Sequence, residues 1–291
     1  MLADNISSVE QIGDFHSAQV RQLNQIQTQN TWDMRQHGSN HRASIKQDGT
    51  AAKNEFKSSQ TGAGSQTEAL QAGQENLNIL TVEQDGTGQR SKVEQNGPLG
   101  SNSATIGQSG QDNDVRLVQT GDFLASNVAV IQQRGSGHDA EGKQDGNQHG
   151  NNGLTVLQDG SDHKVRIEQS AFLGGSNATV EQAGEANEAG IEQGGSFMFN
   201  GALIQQAGNE NTALVEQRAG DGRNESLVRQ NGTRNSADVS QRMDTGTNVS
   251  LVAQLGTENR ARVEQVGEFI STNKSEIDFD GAGNNVEVLQ G

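Results

Sequence analysis

The chain has 291 residues, of which only 30% are hydrophobic and 3% aromatic, and its formal net charge is −16. It contains no cysteine, which excludes disulfides and thiolate metal sites, and no run of 18 apolar residues that would predict a membrane span. The acidic balance also argues against nucleic acids and anionic membranes as partners.

A nine-residue motif recurs along the chain. Its pattern is Asn-x-small-x-aliphatic-x-Gln-x-Gly, and a clear copy runs from Asn259 to Gly267. Anchored on the Gln, there are 24 copies, from the one with Gln11 to the one with Gln290, and only Phe279 replaces the Gln. The steps between anchors alternate between 11 and 13 or 14 residues, so a pair of copies recurs every 24 or 25 residues. A fixed period of this size is typical of a solenoid.

Each copy has the two-residue alternation of a strand. The Asn, small, aliphatic and Gln positions all point to one side, and the residues between them, such as Arg260, Arg262 and Glu264, point to solvent. The sequence therefore predicts an all-β, two-sided β-solenoid of twelve stacked strand-turn-strand rungs. Its two parallel in-register sheets would form a cross-β, amyloid-like arrangement. We expect residues 5–291 to be a single solenoid and residues 1–4 to be the remnant of a leader, with the secretion signal itself removed.

The shorter link between two anchors reverses the chain. Gly stands two residues after the Gln in 19 of the 23 copies that reach this position, and Gly supplies the positive φ that a tight corner requires. The predicted corner glycines are Gly38, Gly49, Gly62, Gly73, Gly86, Gly110, Gly121, Gly184, Gly208, Gly232, Gly256 and Gly267.

The inward amides predict ladders along the stack. Identical Asn or Gln side chains in successive rungs can donate to and accept from one another, which satisfies groups that are costly to bury alone. The predicted ladder residues are Asn30, Gln36, Asn78, Gln84, Asn102, Gln108, Asn127, Gln133, Asn152, Gln158, Asn200, Gln206, Asn211, Gln217, Asn224, Gln230, Asn248, Gln254, Asn259 and Gln265.

The longer links carry most of the large apolar residues. We expect these side chains to turn inward and close one edge of the core; the alternative is an exposed apolar stripe for lateral fibre packing. The residues are Leu99, Phe123, Leu124, Phe172, Leu173, Phe197, Met198, Phe199, Phe269 and Ile270.

Histidines are the strongest candidates for chemistry. His16 and His41 occupy the Asn column of adjacent rungs, as do His138 and His163, and stacked imidazoles can hold a metal ion. No carboxylate column accompanies them, so we interpret them as substitutes for Asn in the ladder. Outward carboxylates could bind Ca²⁺, but a solvated acidic face that limits aggregation is the favoured interpretation. Examples are Asp114, Glu168, Glu181 and Glu216. We therefore predict no metal site, no cofactor and no catalytic residue.

Both terminal rungs keep the motif, and this predicts assembly. An open sheet edge recruits further strands, and an end-to-end contact that does not close makes a filament. We thus expect a head-to-tail homopolymer. The predicted assembly edges are Asn5, Ser7, Val9 and Gln11 at one end, and Asn284, Val286, Val288 and Gln290 at the other.

The pattern resembles the curlin repeat, Ser-x5-Gln-x-Gly-x-Gly-Asn-x-Ala-x3-Gln. Gln84-Asp85-Gly86-Thr87-Gly88 reproduces its corner, and Gln206 to Gln217 reads Gln-x-Gly-x-x-Asn-x-Ala-x3-Gln. The resemblance implies a subunit of curli, the extracellular functional amyloid fibre of the bacterial cell surface, which builds biofilm matrix and supports adhesion. It also implies two partners, a nucleator subunit and an outer-membrane secretion apparatus. Uniform rungs favour the major subunit over the nucleator.

Two other classes of function remain as alternatives. A monomeric binding solenoid, such as an ice-binding protein or adhesin, would need a flat outward ladder of Thr, whereas the outward columns here are mixed. A β-helix enzyme of the polysaccharide-lyase type would need wider rungs, long inserted loops and a cluster of catalytic charges. Neither set of features is found in the sequence.

Overall fold

The computed structural model describes residues 5–24, 29–268 and 271–291, and these residues form strands without any helix. The predicted leader remnant, residues 1–4, and the arc residues Phe269 and Ile270 lie outside the described residues. The strands are β1 (Asn5–Asp14), β2 (Ser17–Asn24), β3 (Gln29–Ser39), β4 (Arg42–Thr50), β5 (Lys53–Ala63), β6 (Gln66–Gln74), β7 (Leu77–Thr87), β8 (Arg90–Asn96), β9 (Ser101–Gln111), β10 (Asp114–Gly121), β11 (Ser126–Ser136), β12 (Asp139–Asn147), β13 (Asn151–Ser161), β14 (Lys164–Phe172), β15 (Gly175–Glu185), β16 (Glu188–Ser196), β17 (Phe199–Asn209), β18 (Thr212–Thr233), β19 (Ser236–Thr257), β20 (Arg260–Gly267), β21 (Ser271–Ala282) and β22 (Asn285–Gln290).

The strands belong to two compact units, Met1–His149 with β1–β12 and Gly150–Gly291 with β13–β22. In the first unit, odd-numbered strands pair with odd-numbered strands and even with even, always in parallel. Motif positions align one above another, so that Asn30 pairs with Asn54 and Asn54 with Asn78. Two strands therefore make one turn, and the first unit contains six turns.

The second unit repeats this arrangement. β13 to β17 alternate as before, and each of the long strands β18 and β19 contains the second strand of one turn and the first strand of the next. β20, β21 and β22 complete the last turns, so this unit also contains six. The predicted all-β, two-sided β-solenoid of twelve turns is thus confirmed.

The strand alternation sets the core. In β4, Ala43, Ile45 and Gln47 are buried, whereas Arg42 and Lys46 are exposed. The same pattern recurs in the other strands, so the two sheets of each unit enclose a narrow interior of aliphatic, Ala and amide side chains. Burying one Val or Ile contributes about 1.5–3 kcal/mol. Successive turns supply the neighbours that a single turn lacks.

The shorter links need two residues with positive φ. Gly208 has φ +100°, and a Cβ on it would lie 2.1 Å from the carbonyl oxygen of Gly232 in the next turn. A second positive φ follows two residues later and is adopted by Gly88 at +71° but by Glu210 at +54°. The Gln-x-Gly-x-Gly corner of the motif therefore places its glycines where the backbone is left-handed.

Three predicted corner glycines differ from this expectation. Gly49, Gly121 and Gly267 lie at the end of the second strand of a turn, and their φ lies outside the left-handed region. Close packing accounts for two of them. A Cβ on Gly49 would lie 2.5 Å from a backbone oxygen of the next turn, and one on Gly267 would lie 2.3 Å from Met243 Cε.

The longer links expose apolar side chains, so the expectation that they turn inward is wrong for most of them. Phe123 and Leu124 are 54% and 68% exposed, and Phe197 and Phe199 are 57% and 68% exposed, whereas Met198 is fully buried. Phe123, Leu124 and Phe197 have positive φ, and this backbone conformation directs their side chains away from the core.

Candidate functional site

Glutamine side chains form continuous ladders inside each unit. All twenty predicted ladder residues are at most 3% exposed. In the second unit, Gln193 Nε2 donates to Gln217 Oε1 at 2.8 Å, and Gln217 Nε2 donates to Gln241 Oε1 at 2.8 Å. Donation always runs from one turn to the following turn, as it does from Gln36 to Gln60 in the first unit. The ladder therefore has a direction.

Asparagine ladders run the opposite way. Asn78 Nδ2 donates to Asn54 Oδ1 at 2.9 Å, and Asn54 Nδ2 donates to Asn30 Oδ1 at 2.8 Å, each from a later turn to an earlier one. Asn211 donates in the same direction to Asn187 in the second unit. Each turn consequently presents both donors and acceptors to its neighbours.

The sequence reasoning missed a second set of glutamine bonds, which link the two sheets of each turn. Gln217 Nε2 also donates to the carbonyl of Gly201 on the facing strand at 3.0 Å, and Gln71 Nε2 donates in the same way to the carbonyl of Glu55 at 3.0 Å. This column almost always contains Gln and not Asn, and that preference was the available signal. The extra methylene of Gln lets its amide reach the backbone of the facing strand.

His41 and His163 make the same bonds as asparagine. His41 Nε2 bonds the carbonyl of His37 at 3.2 Å, and His41 Nδ1 accepts from the N–H of Ser65 in the next turn at 3.3 Å. Asn187 does the same, its Nδ2 donating to the carbonyl of Ala183 and its Oδ1 accepting from the N–H of the next turn. Both ring nitrogens are thus engaged by backbone groups in the way a neutral imidazole allows.

Burial lowers the pKa of His41 below its ordinary value. The hydrogen bond to the His37 carbonyl opposes this shift, while the neighbouring His16 ring, stacked at 5.2 Å between centroids, lowers the pKa further. His41 therefore favours the neutral form in the folded chain. Within the part of the chain that the structure describes, no group of three or more His, Cys, Asp or Glu residues could hold a metal ion.

Among the described residues, the predicted edge positions lie on β1, which pairs with β3, and on β22, which pairs with β20, except that Asn284 lies between β21 and β22. Ser7, Val9 and Gln11 in β1 are exposed, and the side chain of Asn5 lies outside what the structure describes. In the last turn Val286 is exposed. Asn284, Val288 and Gln290 are half-buried, although their counterparts in interior turns are fully buried.

The backbone groups at these edges also have a direction. The N–H of Arg260 donates to the carbonyl of Asn284 in the following turn at 2.7 Å. Successive residues of a parallel strand bond to alternate neighbouring strands, so N–H groups of outward-facing residues point to the following turn. Glu287 is outward-facing in the last turn, and its N–H faces the open edge. By the same alternation, inward-facing Val20 directs its N–H to the open edge of the first turn.

A comparison with protein families finds one match. The family model of the curlin associated repeat matches residues 232–267, which cover parts of two turns in the second unit. No curated protein matches the chain significantly. Among the described residues no helix is long and apolar enough to cross a membrane. The match covers 36 of the 291 residues, and it agrees with the in-register repeat in supporting a relationship to curlin-repeat proteins and a structural role.

Proposed function

We propose that this curlin-repeat chain is the structural subunit of an extracellular functional amyloid fibre that grows by end-to-end addition of further copies. The fibre would lie on the bacterial cell surface, build biofilm matrix and support adhesion. Its partners would be further copies of itself, a nucleator subunit and an outer-membrane secretion apparatus, as the family resemblance implies. Uniform turns favour the role of major subunit.

The observation that carries this proposal is the fit between β22 of one copy and β2 of another. Gln290 Nε2 would donate to Gln22 Oε1 of the incoming copy, in the way that Gln265 Nε2 donates to Gln290 Oε1 at 2.8 Å within the chain. Within the Asn column, Asn284 would be followed by His16 of the next copy. The first unit already contains an Asn-to-His step, in which the N–H of His138 donates to Asn113 Oδ1 at 3.1 Å.

The first strands fit less well across such a junction. Phe279 takes the Gln position in β21, so it would stand against Gln11 of the next copy and interrupt the amide ladder. Asp278 would stand beside Glu10, and like charges directly opposite one another are destabilising. We therefore assign most of the axial affinity to the contact of β22 with β2.

The test is assembly of purified chain diluted from denaturant, followed by dye binding, electron microscopy and fibre diffraction. Thin unbranched fibres that are seeded by preformed ends and show a ~4.8 Å axial repeat are expected. A stable monomer with full β-structure at every concentration would contradict the proposal and favour a binding solenoid.

Two variants at one position test the edge itself. Glu287→Pro removes the N–H that faces the open edge, and we expect it to slow elongation strongly. Glu287→Ala is the matched control, since it loses the ion pair with Arg262 (2.9 Å) but keeps the N–H. Equal elongation rates in the two variants would show that this edge does not receive the next copy.

A further inference from the structure

The two outer faces of the second unit differ in charge. Over its first five turns, each sheet presents fifteen outward side chains, three on each strand. On the sheet formed by the second strands ten of these are charged, namely Lys164, Arg166, Glu168, Glu188, Glu192, Glu216, Asp238, Arg260, Arg262 and Glu264. On the sheet formed by the first strands only three are charged, namely Glu181, Glu225 and Arg229. We call these fifteen outward residues, from Gly153 to Ala253, the neutral face.

An uncharged column runs along the centre of the neutral face. Register places Thr155, Thr179, Leu203, Leu227 and Leu251 one above another in successive turns. All five are half-buried, because each side chain is covered along the column by its neighbours. The column forms a straight ridge about 19 Å long at the usual strand spacing.

The few charges on the neutral face already have partners in the same chain. Gln205 Nε2 donates to Glu181 Oε2 at 2.7 Å, and Arg229 Nε donates to Gln205 Oε1 at 3.0 Å. Glu225 is paired with Arg223. Each of these three charges is therefore hydrogen-bonded or ion-paired within the chain, which reduces the cost of covering this face.

A glycine leaves open space beside the ridge. Gly201 is the third residue of β17 and occupies an outward-facing position, and a Cβ placed on it would meet no atom within 4 Å. Gly weakens a strand and often marks a position where another chain approaches closely. The space next to Leu203 could receive an apolar side chain from an opposing surface.

We propose that the neutral face binds the neutral face of a second copy, so that two stacks pair laterally. Charge decides between the two faces of the second unit, because a chain of net charge −16 repels its own copies, and over the first five turns the neutral face presents three charged side chains against ten on the other sheet. The occupant must match a ridge that repeats at every turn, and a second copy has the same spacing. Two sheets can then interdigitate at about 10 Å, as in a steric zipper.

The size of the face predicts how strongly the copies pair. Five turns of about 4.8 Å and six residues of about 3.3 Å give roughly 500 Å² per copy, or about 1,000 Å² in total. This is the lower limit for a specific interface. One pair of soluble chains should bind weakly, whereas the contact repeats with every subunit along a fibre. Stable lateral pairing therefore requires the polymerisation proposed above.

The test compares Leu227→Lys on the neutral face with Leu214→Lys on the charged face. Both substitutions change an outward-facing Leu and add the same charge; Leu214 is 39% exposed. Mass per length of fibres, measured by scanning transmission electron microscopy, should be that of paired stacks in the wild type and in Leu214→Lys. We expect it to fall two-fold in Leu227→Lys, with an unchanged rate of elongation.

Single stacks in the wild type, or pairing that survives Leu227→Lys, would overturn the proposal. Equal loss of pairing in both variants would also overturn the proposal, since a charge added to either face would then be sufficient to prevent lateral pairing. If the wild type forms no fibres, polymerisation fails and pairing is decided by sedimentation of the soluble chain. A wild-type dimer that becomes a monomer only in Leu227→Lys would support the neutral face, and a monomer at all concentrations would reject it.

Discussion

Replacing one inward glutamine by leucine tests whether the amide ladder holds the solenoid together. Gln71 in β6 is fully buried, accepts from Gln47 Nε2 at 2.9 Å and donates to Gln95 Oε1 at 2.9 Å. Gln71→Leu keeps the approximate volume of the side chain but removes both ladder bonds. The control is Gln66→Leu in the same strand, where the side chain points outward and is exposed.

The expected cost follows from the groups left unpaired. Without Gln71, Gln95 Oε1 loses its donor, and the Gln47 amide keeps only bonds to backbone carbonyls at 3.1 and 3.3 Å. Each buried group that loses its partner costs about 1–3 kcal/mol. Allowing about 1 kcal/mol for the added apolar contact, the two groups give a loss of about 1–5 kcal/mol. Gln66→Leu should stay within about 0.5 kcal/mol of wild type.

The assay is guanidinium unfolding of the soluble chain, followed by circular dichroism at concentrations below assembly. At the slopes usual for guanidinium, the loss corresponds to a midpoint lower by roughly 0.2–1 M for Gln71→Leu. If the free energies of unfolding of the two variants agree within about 0.5 kcal/mol, the ladder does not stabilise the fold and the argument from unpaired amides is refuted.

Three further substitutions test other features of the fold. The lowered pKa of His41 means that the unfolded chain binds its proton more readily, so stability is full above about pH 6.5 and declines below it. His41→Asn should flatten this decline in denaturation at pH 5–7, and exposed His37→Asn, which removes only a smaller charge contribution to the same shift, should flatten it less. Gly208→Ala should destabilise the chain by about 3 kcal/mol or more, because its φ is +100° and its Cβ would meet a carbonyl at 2.1 Å. Gly194→Ala, with open space, should be neutral in the same unfolding experiment. Phe279→Gln would extend the ladder to the last turn. One added bond of about 1 kcal/mol should lower the soluble concentration left after assembly about five-fold. A higher soluble concentration would argue against β21 as part of the axial contact.

Much of the fold could be predicted because parallel in-register stacking places identical positions in contact. The Gln spacing alone defines the turn, and the two-residue alternation defines the faces. The twenty ladder residues could be identified in the same way, since a buried amide in one turn needs an amide at the same height in the next. These features are properties of the repeat, which can be recognised directly in the sequence.

Other features depend on conformation that the repeat does not specify. Either direction of amide donation satisfies the same spacing, so the opposite ladders of Gln and Asn could not be read from the sequence. Phe123 and Leu124 are apolar and looked suited to burial, but their φ values of +48° and +66° direct them to solvent. The neutral face is not visible in composition over the whole chain, because the first strands of other turns carry outward charges such as Asp33, Lys57 and Asp278.

The low hydrophobic content of the chain helps to fix the register between successive turns. Apolar columns tolerate slippage, since one aliphatic side chain packs against another at almost any height. A slip of two residues would instead place Gln217 against an aliphatic neighbour and leave its amide unpaired, at a cost of about 1–3 kcal/mol per group. The amide columns therefore fix the strand register, which is weakly specified in strands with little hydrophobic patterning. The interior that aligns one turn on the next within a chain has the same chemistry that would align one copy on another.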